Sequence, residues 1–358
     1  MYAIAGITGQ VGGAVARTLL AAEQPVRAVL RDASKGAAWA ERGCEVAVAE
    51  IDDAAALTAA FKATEGVFVL LPSSFDPAPG FPEVRAIVAA LRFALETARP
   101  AKVVCLSTIG AQATKPNLLT QLTIVEQVLG ELPMPVAFLR PGWFMENSAW
   151  DVAPARDNGV IPSFLQPLDK PVPMVATADV GRVAAGLLEE TWTGRRIVEL
   201  EGPRRVTPNE IAAAFAKSLG RPVRMEAVPR GTWEALFKSQ GMKNPTPRIQ
   251  MLDGFNEGWI EFEGGKAHSI KGEIELETVV QDLVQRAALG ALLPRHRHLR
   301  AGNKQAHFID WAKAGFHFRR SPKATYRNLS CAGMRRARAV RAARSRHGHV
   351  FIPRFDLA

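Results

Sequence analysis

The chain opens on a strand-sized apolar run, Met1 to Ala5, that passes directly into Ala5-Gly6-Ile7-Thr8-Gly9-Gln10-Val11-Gly12-Gly13. Behind the glycines, Val11, Ala14, Val15, Thr18 and Leu19 fall at i, i+3, i+4, i+7 and i+8, one face of a helix. Strand, glycine turn and helix in immediate succession is the context that gives a dinucleotide-binding fingerprint its meaning. Gly6 permits the tight turn, Gly9 lets backbone approach a pyrophosphate, and Gly12 lets the helix lie close on the strand. The helix N-terminus then offers unpaired N–H groups and the positive end of its dipole to phosphate oxygens. The spacing is Gly-x-x-Gly-x-x-Gly rather than Gly-x-Gly-x-x-Gly. A glycine cluster of this kind also fits a tight turn that binds nothing. Its place at the head of an alternating chain favours the phosphate reading, with Gly6, Thr8, Gly9, Gln10, Val11 and Gly12 as cofactor-binding residues.

The alternation continues. Strands are expected at 26–30, 44–49, 66–71, 102–106 and 136–139, and helices at 54–63, 84–95 and 117–129. The run 66–71 is apolar throughout, as in a strand covered on both faces. Strands alternating with helices predict right-handed crossovers and a parallel, doubly wound α/β sheet of the Rossmann kind. From Trp143 to Pro173 no period is visible. Further on, a helix is expected at 178–190 and a strand at 196–200. Thr207-Pro208-Asn209-Glu210 reads as a capping box with proline at N1. A strand at 223–228, helical patterns at 231–240 and 247–258, and an amphipathic helix marked by Leu276, Val279, Val280, Leu283 and Ala287 follow. The predicted organisation is a dinucleotide-binding core over 1–150, a smaller α+β substrate-side lobe over 151–290, and a tail over 291–358. The elements near 176–200 are expected to pack back on the core. No internal repeat is present.

Charge separates the tail from the rest. Of 45 Lys and Arg and 35 Asp and Glu in the 358 residues, residues 287–358 hold 16 basic and two acidic ones, leaving the first 286 residues mildly acidic. Six of the seven histidines also lie beyond residue 290. Such irregular basic sequence buries little core and is expected to be largely disordered. It reads either as a contact for polyanions or as an extension without structural role. The second is favoured because stacking aromatics are sparse and no nucleic-acid motif is present. Cys44, Cys105 and Cys331 form no Cys-x-x-Cys pair, which fits a reducing cytoplasm and gives no hint of a metal or a disulfide framework. No signal peptide and no membrane-length apolar run are recognised.

The glycine turn, Arg31 after the second strand, Asp52 after the third, Leu71-Pro72 after the fourth and Leu106-Ser107-Thr108 after the fifth form a series. To these is added the run Leu139-Arg140-Pro141-Gly142-Trp143-Phe144-Met145-Glu146-Asn147. Together, over about residues 1–286, they resemble the NmrA-like family of atypical short-chain dehydrogenases/reductases. The resemblance implies an NAD(P)-binding Rossmann domain with a smaller C-terminal lobe. It implies a small-molecule substrate in reductases of quinones, azo dyes or triphenylmethane dyes, and a bound dinucleotide without turnover in regulators. Arg31, Asp52, Leu71, Pro72 and Ser107 join the glycine turn as expected cofactor residues. Arg31 sits where a 2′-phosphate would lie and can bind it bidentately. Asp32 pulls toward NAD, because an acid about twenty residues past the glycines can hold the ribose 2′-OH. With Lys35 nearby, NADP is preferred and NAD remains possible.

The catalytic residues of conventional short-chain reductases are missing. The only tyrosines, Tyr2 and Tyr326, are not followed by Lys four residues on, so no Tyr-x-x-x-Lys exists. Where some relatives carry Lys or His shortly before the matching glutamate, this chain has Gln121 and Leu122. Ser107 either orients a carbonyl or nicotinamide amide, or caps a helix. Glu126 either serves as an acid or lies on a solvated helix face. Phe75, Phe81, Trp143, Phe144 and Trp150 supply either a flat apolar pocket or lobe core. Two functions follow: an NADPH-dependent reductase of a quinone-like or azo acceptor, which takes its proton from solvent, or a regulator that senses NADP without turnover.

Overall fold

The computed structural model describes residues 1–72 and 74–292. The chain runs through β1 (Tyr2–Ala5), α1 (Gln10–Ala21), β2 (Val26–Leu30), α2 (Ala37–Ala40), β3 (Glu45–Val48), α3 (Ala54–Phe61), β4 (Gly66–Val69), α4 (Pro82–Ala98), β5 (Lys102–Leu106), α5 (Thr120–Leu129) and β6 (Val136–Pro141). There follow β7 (Trp143–Phe144), α6 (Val152–Asn158), β8 (Val160–Ser163), β9 (Met174–Val175), α7 (Thr177–Glu189), β10 (Arg195–Glu201), α8 (Pro208–Leu219), β11 (Arg224–Ala227), α9 (Trp233–Ser239), α10 (Thr246–Glu257), β12 (Ile270–Lys271) and α11 (Leu276–Leu292).

Eight strands form one sheet in the order β12-β10-β6-β5-β4-β1-β2-β3, and every pairing within it is parallel. The chain first winds outward from β1 to β3, then jumps back across β1 to β4 and winds the other way. The order therefore reverses between β1 and β4, and the crevice at the carboxyl ends of those strands is where such sheets bind ligands. Alternation along the strands builds the core. Ile4, Ala28, Phe68, Val104 and Ala137 face one side beneath α1 and α7. Ala3, Val29, Val67, Val103 and Phe138 face the other beneath α3, α4 and α5. Helix starts follow local chemistry: the Asp53 carboxylate accepts from the N–H groups of Ala55 and Ala56 at 3.0 Å to cap α3. The Thr207–Glu210 capping box forms at α8, with Pro208 in its first turn.

A third core, with Met145, Ile161, Phe215, Trp233 and Phe237, belongs to the lobe. It also draws in Ile109 and Leu118 from the loop after β5. The chain does not stay in the lobe. It returns as α7, which lies against α1 so closely that a Cβ at Gly181 would stand 2.3 Å from the Ala14 Cβ. It then returns as β10, which adds to the sheet beside β6 with Val198 opposite Leu139. We propose a division by packing rather than by residue number, with α7 and β10 in the dinucleotide-binding half. The stretch 143–173 shows no period in the sequence because it is made of short pieces such as β7, α6 and β8, two to seven residues each. Strands this short allow too few alternations to read. The two-residue β12 was not expected for the same reason. α11 continues through Leu292, past the expected boundary at 290. The basic segment beyond it, with its expected disorder and polyanion contacts, lies outside the described residues. No helix among the described residues is long and apolar enough to cross a membrane.

Candidate cofactor and substrate site

The glycine turn has the backbone its residues demand. Gly6 adopts φ +67°, and the N–H of Gly9 donates to the Gly6 carbonyl at 2.9 Å. A Cβ at Gly12 would stand 2.4 Å from that same carbonyl oxygen, so only glycine lets α1 start this close to the turn. Gly9 is the N-cap of α1 and offers no side chain to the helix, and the first turn contains no acid. The N–H groups of that turn precede any intrahelical acceptor and point out of the helix end. Val11 is buried and pins the helix to the core, while Thr8 and Gln10 are exposed at the mouth. This cradle fits a pyrophosphate: glycine where backbone must approach, a helix start whose first N–H groups lack intrahelical acceptors, and no acid in its first turn.

Glu146 stands beside the same mouth. Its carboxylate accepts from the Thr177 N–H at 2.9 and 3.0 Å and from the Thr177 hydroxyl at 2.7 Å, capping α7. The Thr177 hydroxyl is also 3.5 Å from Gln10 Oε1, which ties the starts of α1 and α7 together. Burial raises the Glu146 pKa, and the bonds from Thr177 oppose the rise.

The other expected residues stand at the carboxyl ends of neighbouring strands. Arg31 follows β2 directly and is exposed. Asp32 is taken by its own loop, accepting from the Ser34 N–H at 3.0 Å and the Ser34 hydroxyl at 2.6 Å, bonds that lower its pKa. One oxygen of the Asp32 carboxylate, Oδ1, is thus engaged within its own loop. Asp52 is exposed after β3. Beyond β4, Leu71 is half-buried and Pro72 exposed.

At the end of β5 the structure removes one alternative for each of Ser107 and Glu126, the helix cap and the solvated helix face. Glu126 is not on a solvated face, since its side chain is 4% exposed. It accepts from Arg140 Nε at 2.8 Å and Nη2 at 2.6 Å, a bidentate pair, and from Arg195 at 3.2 Å. Ser107 caps no helix; its hydroxyl donates to Glu126 Oε1 at 2.5 Å. Arg140 also meets Glu263 at 2.7 Å and Gln112 at 3.4 Å, with Glu199 at 3.7 Å. Burial disfavours the Arg140 charge, but the bonds from Glu126 and Glu263 outweigh it and raise the pKa. Every oxygen of Glu126 thus faces a cation or a hydroxyl, an arrangement that suits a fixed anion. Sequence reasoning quoted Arg140 but assigned it no role. The available signal was an arginine at the end of an otherwise apolar strand, which needs a buried acid nearby.

Gln121, 4% exposed, donates from Nε2 to the carbonyls of Ser74 and Leu118 at 3.0 Å each. Its Oε1 and Asn147 Oδ1 are buried and without hydrogen-bond partners among the described residues. The five aromatics do not gather into one pocket. Trp143 packs edge-on against Phe255 in the lobe, and Phe75 joins the same core. Phe144 packs beneath α1 and α7, Phe81 packs on the opposite face of the sheet, and Trp150 is exposed. Phe144 and Phe81 lie apart because they pack on opposite faces of the sheet.

Comparison with known proteins agrees with this architecture. The NmrA-like family model matches residues 2–258. The chain is 29% identical over 259 residues to an NAD(P)H azoreductase of Xenophilus azovorans, covering 72% of this chain and 85% of that protein. It is 27% identical over 245 residues to quinone oxidoreductase 2 of Escherichia coli, covering 68% and 82%. The crystal structure of an E. coli NADPH-dependent quinone oxidoreductase complexed with NADPH superposes with a TM-score of 0.60 at 22% identity, over 80% of this chain and 95% of that one. The Citrobacter triphenylmethane reductase complexed with NADP(H) gives 0.65 at 19%, over 79% and 99%. These two structures share the fold. By the extent of the family match, joined to the glycine turn and the strand order, the chain belongs to the NmrA-like family.

Proposed function

We propose that this protein is an NADPH-dependent oxidoreductase that reduces a small quinone-like or azo acceptor without a Tyr-x-x-x-Lys pair. The observation that carries the reading is the donor-rich, acid-free start of α1 behind a turn that only glycine can make, at the switch point of a parallel sheet. Relatives named as an azoreductase and a quinone oxidoreductase support the acceptor class.

The dinucleotide, when bound, supplies a hydride. The residues around it have distinct tasks. Backbone N–H groups at the start of α1, from Gln10 through Gly12, hold the pyrophosphate, with Thr8 and Gln10 at its rim. Arg31 takes the 2′-phosphate, beside Asp32, whose Oδ1 is held by Ser34. Asp52, Leu71 and Pro72 border the cleft. Ser107 gives its only proton to Glu126, so its oxygen is left as an acceptor and suits the N–H₂ of a carboxamide. Glu126, itself held by Arg140, acts through Ser107 and is a positioning residue rather than an acid. The unpartnered Oε1 of Gln121 can accept from a hydroxyl.

None of these groups is a free proton donor to the acceptor. That suits quinones and azo compounds, whose reduced anions take a proton from water. It also favours a second reading, a regulator that binds NADP without turnover. Oxidation of NADPH across a panel of quinones and azo dyes, with NADPH and NADH titrations beside it, decides between them. Acceptor-dependent oxidation above background supports the reductase; tight binding with none across the panel leaves the regulator.

A further inference from the structure

Interior arginines in this fold are paired. Arg140 meets Glu126 and Glu263, and Arg205 meets Glu201 and Glu261. Arg248, on α10, is the exception. It is half-buried, with its guanidinium carbon 4.5 Å from the centre of the Phe237 ring and 5.5 Å from that of Phe75. Its polar neighbour is the Met242 sulfur at 3.7 Å, and no carboxylate among the described residues pairs with it. Burial lowers its pKa to about 10, which still leaves it charged at neutral pH. Two aromatic faces stabilise the cation without satisfying its N–H donors. A desolvated charge without a counter-ion is costly, and an arriving anion relieves that cost.

Its place in the fold says where the anion would come from. Phe75 lies in the loop that leaves the carboxyl end of β4, just beyond Leu71 and Pro72. That loop is tied to the residues before Arg248. Asp76 accepts from the N–H groups of Lys243 at 2.9 Å and Asn244 at 2.6 Å, and Asn244 donates to the Pro77 carbonyl at 3.0 Å. The Leu118 N–H donates to the Pro247 carbonyl at 2.9 Å, and Gln121 reaches Ser74. Arg248 therefore belongs to the corner where the β4 loop, the start of α5 and the lobe meet, near the carboxyl ends of β4 and β5 that lead to Leu71 and Ser107. The carboxylate of that corner, Asp76, is taken by backbone, and Asp253 on α10 is taken by Arg230.

We propose that Arg248 anchors an anionic substituent, a carboxylate or sulfonate, on an aromatic acceptor. The protein then selects acidic acceptors over neutral ones of the same ring system. This inference rests on the reductase reading above, and its test separates the two.

Naphthoquinone and naphthoquinone sulfonate are compared as acceptors of the full chain and of Arg248→Gln and Arg248→Lys, each value taken relative to wild type so that the electronic effect of the sulfonate cancels. Thermal melts and NADPH titration confirm that the variants fold and bind cofactor. For Arg248→Gln the KM for the sulfonate is expected to rise about tenfold to a hundredfold, the loss of a charge-assisted contact. Its kcat, the KM for the neutral quinone and the NADPH affinity should stay within about twofold, inside the scatter of a surface change. Arg248→Lys, which keeps charge but not the fork, should fall between. Equal losses for both quinones, no loss for either, or a loss of NADPH affinity instead overturns the proposal. If Arg248→Gln fails to fold, the same comparison in Arg248→Lys decides it. If wild type reduces neither quinone, the reductase reading has failed. The anchor is then read by tryptophan quenching with naphthalene sulfonate in the presence of NADP⁺: binding lost on substitution supports it, and unchanged or absent binding overturns it.

Discussion

Replacing Glu126 tests both the stability of the fold and the part this residue plays in the reaction. The side chains of Glu126 and Arg140 are 4% and 3% exposed and joined by two short charged hydrogen bonds. Removing one partner of a buried pair leaves the other charge desolvated, which costs about 3–5 kcal/mol. Each side keeps some compensation here. Arg140 retains Glu263, whose side chain is 61% exposed, and Glu126 retains Ser107 and a half-exposed Arg195. Glu126→Leu and Arg140→Met should therefore each lose about 3 kcal/mol, the lower end of that range. The double variant should lose clearly less than the sum, with a coupling of about 2–3 kcal/mol. Urea unfolding with a common m-value measures all three. The exposed Glu234–Lys238 pair on α9 serves as a control, and Glu234→Ala should leave the unfolding midpoint nearly unchanged. Losses below about 1 kcal/mol for Glu126→Leu, or strict additivity in the double variant, would refute the buried-pair reasoning. Turnover supplies a second readout, in Glu126→Gln, which keeps the shape of the side chain. A positioning residue should cost about tenfold or less in kcat. A fall of about a hundredfold or more in a folded variant is the signature of a lost general acid and would return Glu126 to that role.

Arg31→Ala should weaken NADPH binding by about 1.5–3 kcal/mol and leave NADH nearly unchanged, measured by fluorescence titration; equal effects on the two cofactors would remove Arg31 from the 2′-phosphate. Two glycines of α7 should respond with opposite sign. Gly181→Ala forces a methyl to 2.3 Å from Ala14 and should lower the melting temperature by several degrees, whereas Gly186→Ala meets nothing within 4 Å and should gain about 0.5–1 kcal/mol from helix propensity. Burial pushes the Asp151 carboxyl up to about 7, against a hydrogen bond from Ser148. The folded state then holds the proton more tightly than the unfolded one, whose carboxyl titrates near about 4, so this group's contribution to stability falls as pH rises from about 4 to 7 and is level above that. Melting curves between pH 5 and 8 should show a downward slope that Asp151→Asn reduces; an unchanged slope would place the titration elsewhere.

The parts that could be read from sequence are those in which cause and consequence are close along the chain. Met1 to Gly13 specifies a strand, a turn and a helix start because the φ of Gly6 and the missing Cβ of Gly12 act within a few residues. The parallel sheet follows from strands such as β4, and β5 from Val103 onward, buried on both faces and therefore apolar. The capping box at α8 closes over four residues and was legible for the same reason. Tertiary structure decided what depends on partners far along the chain. Glu126 has the spacing of an ordinary helix-surface acid. It is a buried anion because β6 carries Arg140 and β10 carries Arg195 to it, 14 and 69 residues away. Asp32 and Arg31 are adjacent and of opposite charge, and only the structure adds that Ser34 engages Oδ1 of the acid. Arg248 looks like any charged residue of α10, and nothing local tells that its surroundings hold two aromatic rings and no acid. Whether a charge is solvated, paired or left to meet a ligand is a matter of dielectric and distance in space, and one-dimensional spacing carries neither.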